Sequence, residues 1–204
     1  MKENSSKIVG FTGSSGAGKT TVSKLLSENE NIQVIDCDEV AKKITVPGNI
    51  YLETIKKELG SQYILPDGNL NRKMLAEAIY NDKEKLEKLN SITFKYVVEE
   101  ILQEIENIKK QKDIEIIAID APLLFESNLN EKCDYIISLI ADEEIKIARI
   151  CKRDNIEPDV ARKRLKIQKE DSFYIEKSDF IIKNNNEINL KNTLDEILSK
   201  IKEN

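Results

Sequence analysis

The residues best equipped for chemistry lie in one short segment, Gly13-Ser-Ser-Gly16-Ala17-Gly18-Lys19-Thr20, with the spacing Gly-x-x-x-x-Gly-Lys-Thr. Glycines let a backbone wrap tightly, so that its N–H groups converge on phosphate oxygens. Lys19 adds a point charge that can reach β- and γ-phosphates, and the Thr20 hydroxyl can ligate Mg²⁺. An apolar run, Ile8 to Thr12, precedes the segment, and Thr21 to Leu26 continues it as a helix whose N-terminal dipole favours an anion. A chance glycine-rich turn would lack both flanks. The segment predicts a site for the phosphates of a nucleoside triphosphate.

Carboxylates and arginines supply the complementary groups. Ile116 to Asp120 is an apolar strand that ends in a carboxylate, a position that can face a metal directly or through water. Asp36-Cys37-Asp38 follows a second apolar run. If the chain stays extended there, both carboxylates point the same way. One of them could then accept the proton of an attacking hydroxyl. Asp38 suits helix capping equally well on spacing alone. The chain has 27 lysines and five arginines, and four of the five, Arg149, Arg153, Arg162 and Arg164, fall within sixteen residues. A sequence that prefers lysine for surface charge places arginine where a planar fork is needed, as on phosphate. Arg149 and Arg153 stand at i and i+4 and share one helix face. Pro158 then opens a second helix, so the stretch 149–170 reads as a lid.

Composition narrows the field. With 40% hydrophobic residues among 204, the chain can bury a core, and its net charge of −5 argues against a nucleic-acid or anionic-membrane binder. An anionic ligand must therefore be held by a local cluster of donors. There is no histidine, which excludes Ser-His-Asp chemistry and His-ligated zinc. Cys37, Cys133 and Cys151 show no paired or metal-ligand spacing, and the apolar runs are too short to span a bilayer, so a cytoplasmic protein is expected.

Five short Ile- and Val-rich runs must position these groups: Ile8 to Thr12, Ile32 to Ile35, Ile116 to Ile119, Tyr135 to Ile140 and Phe180 to Ile182. Nearly continuous apolar character suits parallel strands covered on both faces, and the helical patterns between them predict a three-layer α/β fold. The stretch 46–112 carries no convincing strand. Leu86, Leu89, Ile92, Tyr96, Val97, Ile101, Ile105 and Ile108 recur there at helical spacing, with turns at Pro47-Gly48 and 65–69. It reads as a helical insertion, either packing or a substrate wall, within a single domain spanning 1–204.

Together these motifs resemble the dephospho-coenzyme A kinase family from Ile8 to about Asn184. The Asp36-Cys37-Asp38 segment, Pro47-Gly48, the Gly68 to Arg72 stretch, Asp120-Ala-Pro-Leu-Leu-Phe-Glu126, Arg153-Asp154, Arg164 to Gln168 and Asp179 to Asn184 carry the likeness. The resemblance implies ATP-dependent phosphorylation of the ribose 3′-hydroxyl of dephospho-CoA with Mg²⁺, the last step of coenzyme A synthesis. It also implies a P-loop kinase fold with a five-stranded parallel sheet, a helical substrate-domain insertion and a helical lid. By position, Lys19, Asp38 as base and Arg149 are the implied catalytic residues. Gly13, Gly16, Ala17, Gly18, Lys19, Thr20, Thr21, Arg153 and Asn184 are the implied ATP contacts. Asp38, Arg72, Asp120, Pro122, Leu123 and Glu126 would meet the acceptor, Thr20 and Asp120 the metal. A monomer is expected, with ATP and dephospho-CoA as partners and neither nucleic acid nor membrane.

Three departures from the family pattern stand out. Phe94-Lys95 replaces the usual His-Pro pair, which removes a polar contact and lets one helix run through 83–112. Ser14 and Asn185 replace frequent glycines. A nucleoside monophosphate kinase shares the core and lid but not the Asp120 to Glu126 segment. A GTPase switch would want Asp-x-x-Gly at Asp120 and an Asn-Lys-x-Asp, and the chain has neither.

Overall fold

A computed structural model describes residues 6–80, 82–111, 113–185 and 187–203; the ends of the expected 1–204 domain and of the 46–112 stretch fall outside them. The chain divides into two compact units, 1–35 with 107–204, and 36–106.

The first unit is built on β1 (Lys7–Gly13), β2 (Ile32–Asp36), β3 (Ile116–Asp120), β4 (Tyr135–Ile140) and β5 (Phe180–Lys183). The strand order is β2-β3-β1-β4-β5, and the β1–β3, β1–β4 and β4–β5 pairings are parallel. All five expected strands are present, each within two residues of its expected ends. In β1, Val9 and Phe11 enter a core with Ile137, Leu139 and Ile182 that also takes in Val22 and Leu26 of α1 (Lys19–Ser27). Leu190, Leu194 and Ile201 of α9 (Glu187–Glu203) complete that core. Gly10 points elsewhere: a Cβ there would lie 2.9 Å from Cys133 Sγ and from Leu124. Central strands thus bury side chains in both directions, the reason their sequence is apolar throughout rather than alternating. Register sets β1 and β3 so that Phe11 stands beside Asp120, which brings the phosphate loop and the terminal carboxylate of β3 to the same, carboxyl end of the sheet.

The remaining helices of this unit are α6 (Glu143–Asp154), α7 (Pro158–Lys166) and α8 (Asp171–Lys177). Pro158 occupies the first turn of α7, where its missing N–H costs nothing. Asn155, with φ 52°, ends α6 in the left-handed region that asparagine tolerates. Ile147 and Ile150 of α6 close over Ala161 of α7, and Leu165 packs against them.

The second unit is helical: α2 (Cys37–Ile44), α3 (Ile50–Glu58), α4 (Arg72–Tyr80) and most of α5 (Lys83–Ile108). Tyr51, Leu52, Ile55, Tyr63, Leu75 and Ile92 form its core, and Tyr51 meets Tyr96 edge-on at 5.8 Å. Ile64 and Leu70 form an isolated antiparallel bridge around the 65–69 turn; among the described residues it is no longer than that. α5 runs unbroken through Phe94-Lys95 but ends at Ile108, short of the expected limit. Ile108 is the last buried residue, and Lys109, Lys110 and Gln111 have no apolar face to prolong the packing that sustains a helix.

Candidate active site

The loop between β1 and α1 folds through glycines held at positive φ in close quarters. Gly18, the N-cap of α1, has φ 109°, and a Cβ there would lie 2.1 Å from the Asn184 side chain. Gly16, at φ 79°, would drive a Cβ to 2.6 Å from the Lys146 carbonyl. The loop is thereby seated on the backbone of α6 and on the end of β5. Asn184, almost fully buried, donates through Nδ2 to Ala17 O at 2.9 Å. Its own N–H continues the β4–β5 ladder onto Ile140 O. Lys19 Nζ lies inside the curve of the loop and donates to Gly13 O at 2.6 Å. Thr20 is exposed in the first turn of α1, while Ala17 is buried and Thr21 half-buried.

Asp120 stands at the tip of β3, half-buried, and accepts a hydrogen bond from the Ser23 hydroxyl. Sequence reasoning missed Ser23. The signal was present: it stands four residues after Lys19, on the same face of α1. The segment that follows Asp120 is a compact turn in which Leu124 is buried beside Gly10. Phe125 packs edge-on against Phe173 at 5.2 Å and near Tyr174 at 6.4 Å. Pro122 is half-buried, and Leu123 and Glu126 face outward. Burial pushes the Tyr174 phenol up to about 12, helped by the nearby charges of Glu126 and Asp171.

Among Arg149, Arg153, Arg162 and Arg164, the structure separates residues that sequence spacing grouped together. Arg149 Nη1 donates to Gly16 O at 3.2 Å and to Asn184 O at 3.0 Å, tying α6 to the loop and to the end of β5. Arg153 reaches Ser15 Oγ at 3.3 Å and forks onto Asp154, through Nε at 2.7 Å and Nη2 at 2.9 Å. Arg164 joins the same carboxylate at 2.7 Å. The hydrogen bond from Arg153, then the charges of Arg153 and Arg164, hold the Asp154 carboxyl below its usual value. Arg162 belongs to none of this; it pairs with both oxygens of Glu144. The i, i+4 argument thus placed Arg149 and Arg153 correctly on one face, whereas mere clustering over-counted. Beneath them, buried Lys146 is paired with Asp171 at 2.8 Å and fastens α6 to α8.

In the helical unit, Asp36 rather than Asp38 is the N-cap of α2. Its Oδ1 accepts from Asp38 N at 2.8 Å and Glu39 N at 3.3 Å. The chain therefore leaves the extended conformation at Cys37, and the two carboxylates do not project as a strand pair. Capping and the candidate base are separate residues, and Asp38 is exposed in the first turn of α2. Arg72, exposed at the start of α4, donates to Thr45 Oγ1 at 2.9 Å.

For a metal, the chain offers the Thr20 hydroxyl and the Asp120 carboxylate, both hard oxygen donors. Among the described residues there is no cluster of three or more His, Cys, Asp or Glu side chains. That donor set fits Mg²⁺, which keeps its waters and substrate phosphates as ligands, and does not fit a metal needing a full protein cage.

Known proteins share the sequence pattern and the fold of this chain. A family model described as dephospho-CoA kinase matches residues 7–189. A dephospho-CoA kinase from Fusobacterium nucleatum is 37% identical over 181 residues, 89% of this chain and 91% of the relative. One from Saccharomyces cerevisiae is 31% identical, over 95% of this chain and 82% of its own length. Among solved structures, a dephospho-CoA kinase from Campylobacter jejuni superposes with a TM-score of 0.69 at 25% identity, covering 96% of this chain and 97% of that one. A shikimate kinase from Acinetobacter baumannii shares the fold at a TM-score of 0.52 and 17% identity, with 96% and 93% covered.

Proposed function

We propose that this chain, which belongs to the dephospho-CoA kinase family, transfers the γ-phosphoryl group of ATP to the ribose 3′-hydroxyl of dephospho-CoA. The observation that carries the reading is the loop itself. A glycine-wrapped backbone encloses the Lys19 ammonium, and two lid arginines are already anchored on it.

Phosphoryl transfer asks little covalent chemistry of a protein; the work is positioning and charge neutralisation. The amides of 13–20 and Lys19 bind the phosphates, and Thr21 continues that binding in the first turn of α1. Arg149 has Nη1 fixed on two carbonyls, so its remaining donors present a rigid fork to phosphate oxygens. Arg153 approaches from the same helix. Asn184 serves ATP by holding the Ala17 carbonyl and with it the curve of the loop. Asp38 accepts the proton of the acceptor hydroxyl. Arg72, Asp120, Pro122, Leu123 and Glu126 are assigned to the acceptor. Thr20 and Asp120 would hold Mg²⁺, which when bound would supply neutralisation of phosphate charge. Among the described residues, no helix is long and apolar enough to cross a membrane. The reading places the enzyme in the cytoplasm as a monomer.

The direct test incubates the protein with ATP, Mg²⁺ and a panel of dephospho-CoA, adenosine and nucleoside monophosphates, with products resolved by mass. Phosphorylation of dephospho-CoA alone is the expected outcome. A product formed only from a nucleoside monophosphate would reject the substrate assignment.

A further inference from the structure

In the phosphate loop, the N–H of Ser15 has an acceptor from far away in the chain. Ser15 N donates to the side-chain oxygen of Gln168 at 2.8 Å. The donor is a backbone N–H, so the carboxamide atom facing it must be the oxygen. Gln168 lies just beyond α7 and before α8, within the 149–170 lid stretch. Ser15 is also the residue whose hydroxyl is met by Arg153. The lid thus holds a single loop residue at both its backbone and its side chain.

We infer that Gln168 is a nucleotide-contacting residue that senses the terminal phosphate of ATP; this rests on the loop being the triphosphate site. Loop amides near the helix cradle the inner phosphates and Lys19 reaches the β- and γ-phosphates, while Ser15 is the loop residue that the lid meets. A phosphate oxygen that takes the Ser15 N–H must occupy the position held by the Gln168 oxygen. A carboxamide is suited to that exchange. Rotation about its last side-chain bond replaces the acceptor with an NH₂ donor, aimed at the same incoming oxygen. Two opposing effects decide the sign. Removing Gln168 frees the amide from a neutral competitor, and it also forfeits a hydrogen bond to an anion. Charge-assisted bonds are about twice as strong as neutral ones, so the loss prevails. ADP lacks the terminal phosphate and should be nearly indifferent.

Gln168→Glu keeps the shape and the acceptor, loses the donor and adds an anion beside the phosphate. Gln168→Ala removes both functions. Binding of ATP and of ADP, each with Mg²⁺, is measured by calorimetry for both variants and the unaltered protein, with melting curves as a check on folding. The expected result is ATP affinity reduced about ten-fold or more in Gln168→Glu and about three-fold in Gln168→Ala, with ADP affinity within about two-fold throughout. Unchanged or tighter ATP binding in Gln168→Ala would overturn the inference, as would equal losses for ATP and ADP, the mark of a merely structural role. If Gln168→Glu does not fold, Gln168→Ala decides alone by the same criteria. Failure of the unaltered protein to bind ATP would instead sink the reading of the loop.

Discussion

Asp38 and Asp36 are two residues apart, yet the first turn of α2 gives them different work. Asp36 spends an oxygen on two amide hydrogens at the helix start, whereas Asp38 presents its carboxylate to solvent. A general base must be able to take up a proton, and a capping carboxylate committed to backbone donors is poorly placed to do so. Asp38→Asn should therefore lower kcat by about 10²–10⁴-fold. ATP affinity, set by the loop, should stay nearly unchanged. Steady-state kinetics alongside an ATP titration decides this; full activity in Asp38→Asn would transfer the role to Asp36 or to another group. Asp36→Ala is a different experiment, since it removes a cap worth about 0.5–2 kcal/mol and acts on stability.

At the scale of elements, α6 and α7 are stitched by one carboxylate. Asp154 ends α6, receives Arg153 from its own helix and Arg164 from α7, and leaves Arg153 reaching Ser15 of the loop. Its carboxyl is held below the ordinary value of 3.8, first by the Arg153 hydrogen bond. A depressed carboxylate favours the docked arrangement fully above its ordinary pKa, and that contribution is lost as pH falls through the lower folded value. An NMR titration should show α7 amides unchanged from pH 7 down to about 5 and shifting only below about 4. Asp154→Ala should show the altered spectrum already at pH 7. A transition centred near pH 6 would contradict the assignment. Legibility followed the same physics. Five strands and the phosphate loop were readable because short apolar runs and fixed glycine spacing are local signals. The partners of Arg149, Arg153, Arg162 and Arg164 were not, because helix periodicity tells which residues share a face but not which acceptor lies opposite. Ser23 on Asp120 and Gln168 on Ser15 span 97 and 153 residues of sequence, and only the register of β1 and β3 and the course of the chain beyond α7 bring such pairs together.

For the whole molecule, net charge is the governing fact. A chain at −5 has no long-range attraction for a triphosphate or for a phosphorylated acceptor, so affinity must be generated within a few ångströms of the loop. The proposed phosphoryl transfer depends on the loop gripping ATP. Calorimetric titration of ATP with Mg²⁺ into the unaltered protein and into Lys19→Ala puts this most directly to the test. Removing the single ammonium enclosed by the loop should weaken binding by about 10²-fold or more while the melting temperature stays close to that of the unaltered protein. Equal ATP affinity in the two folded proteins would contradict the account at its root.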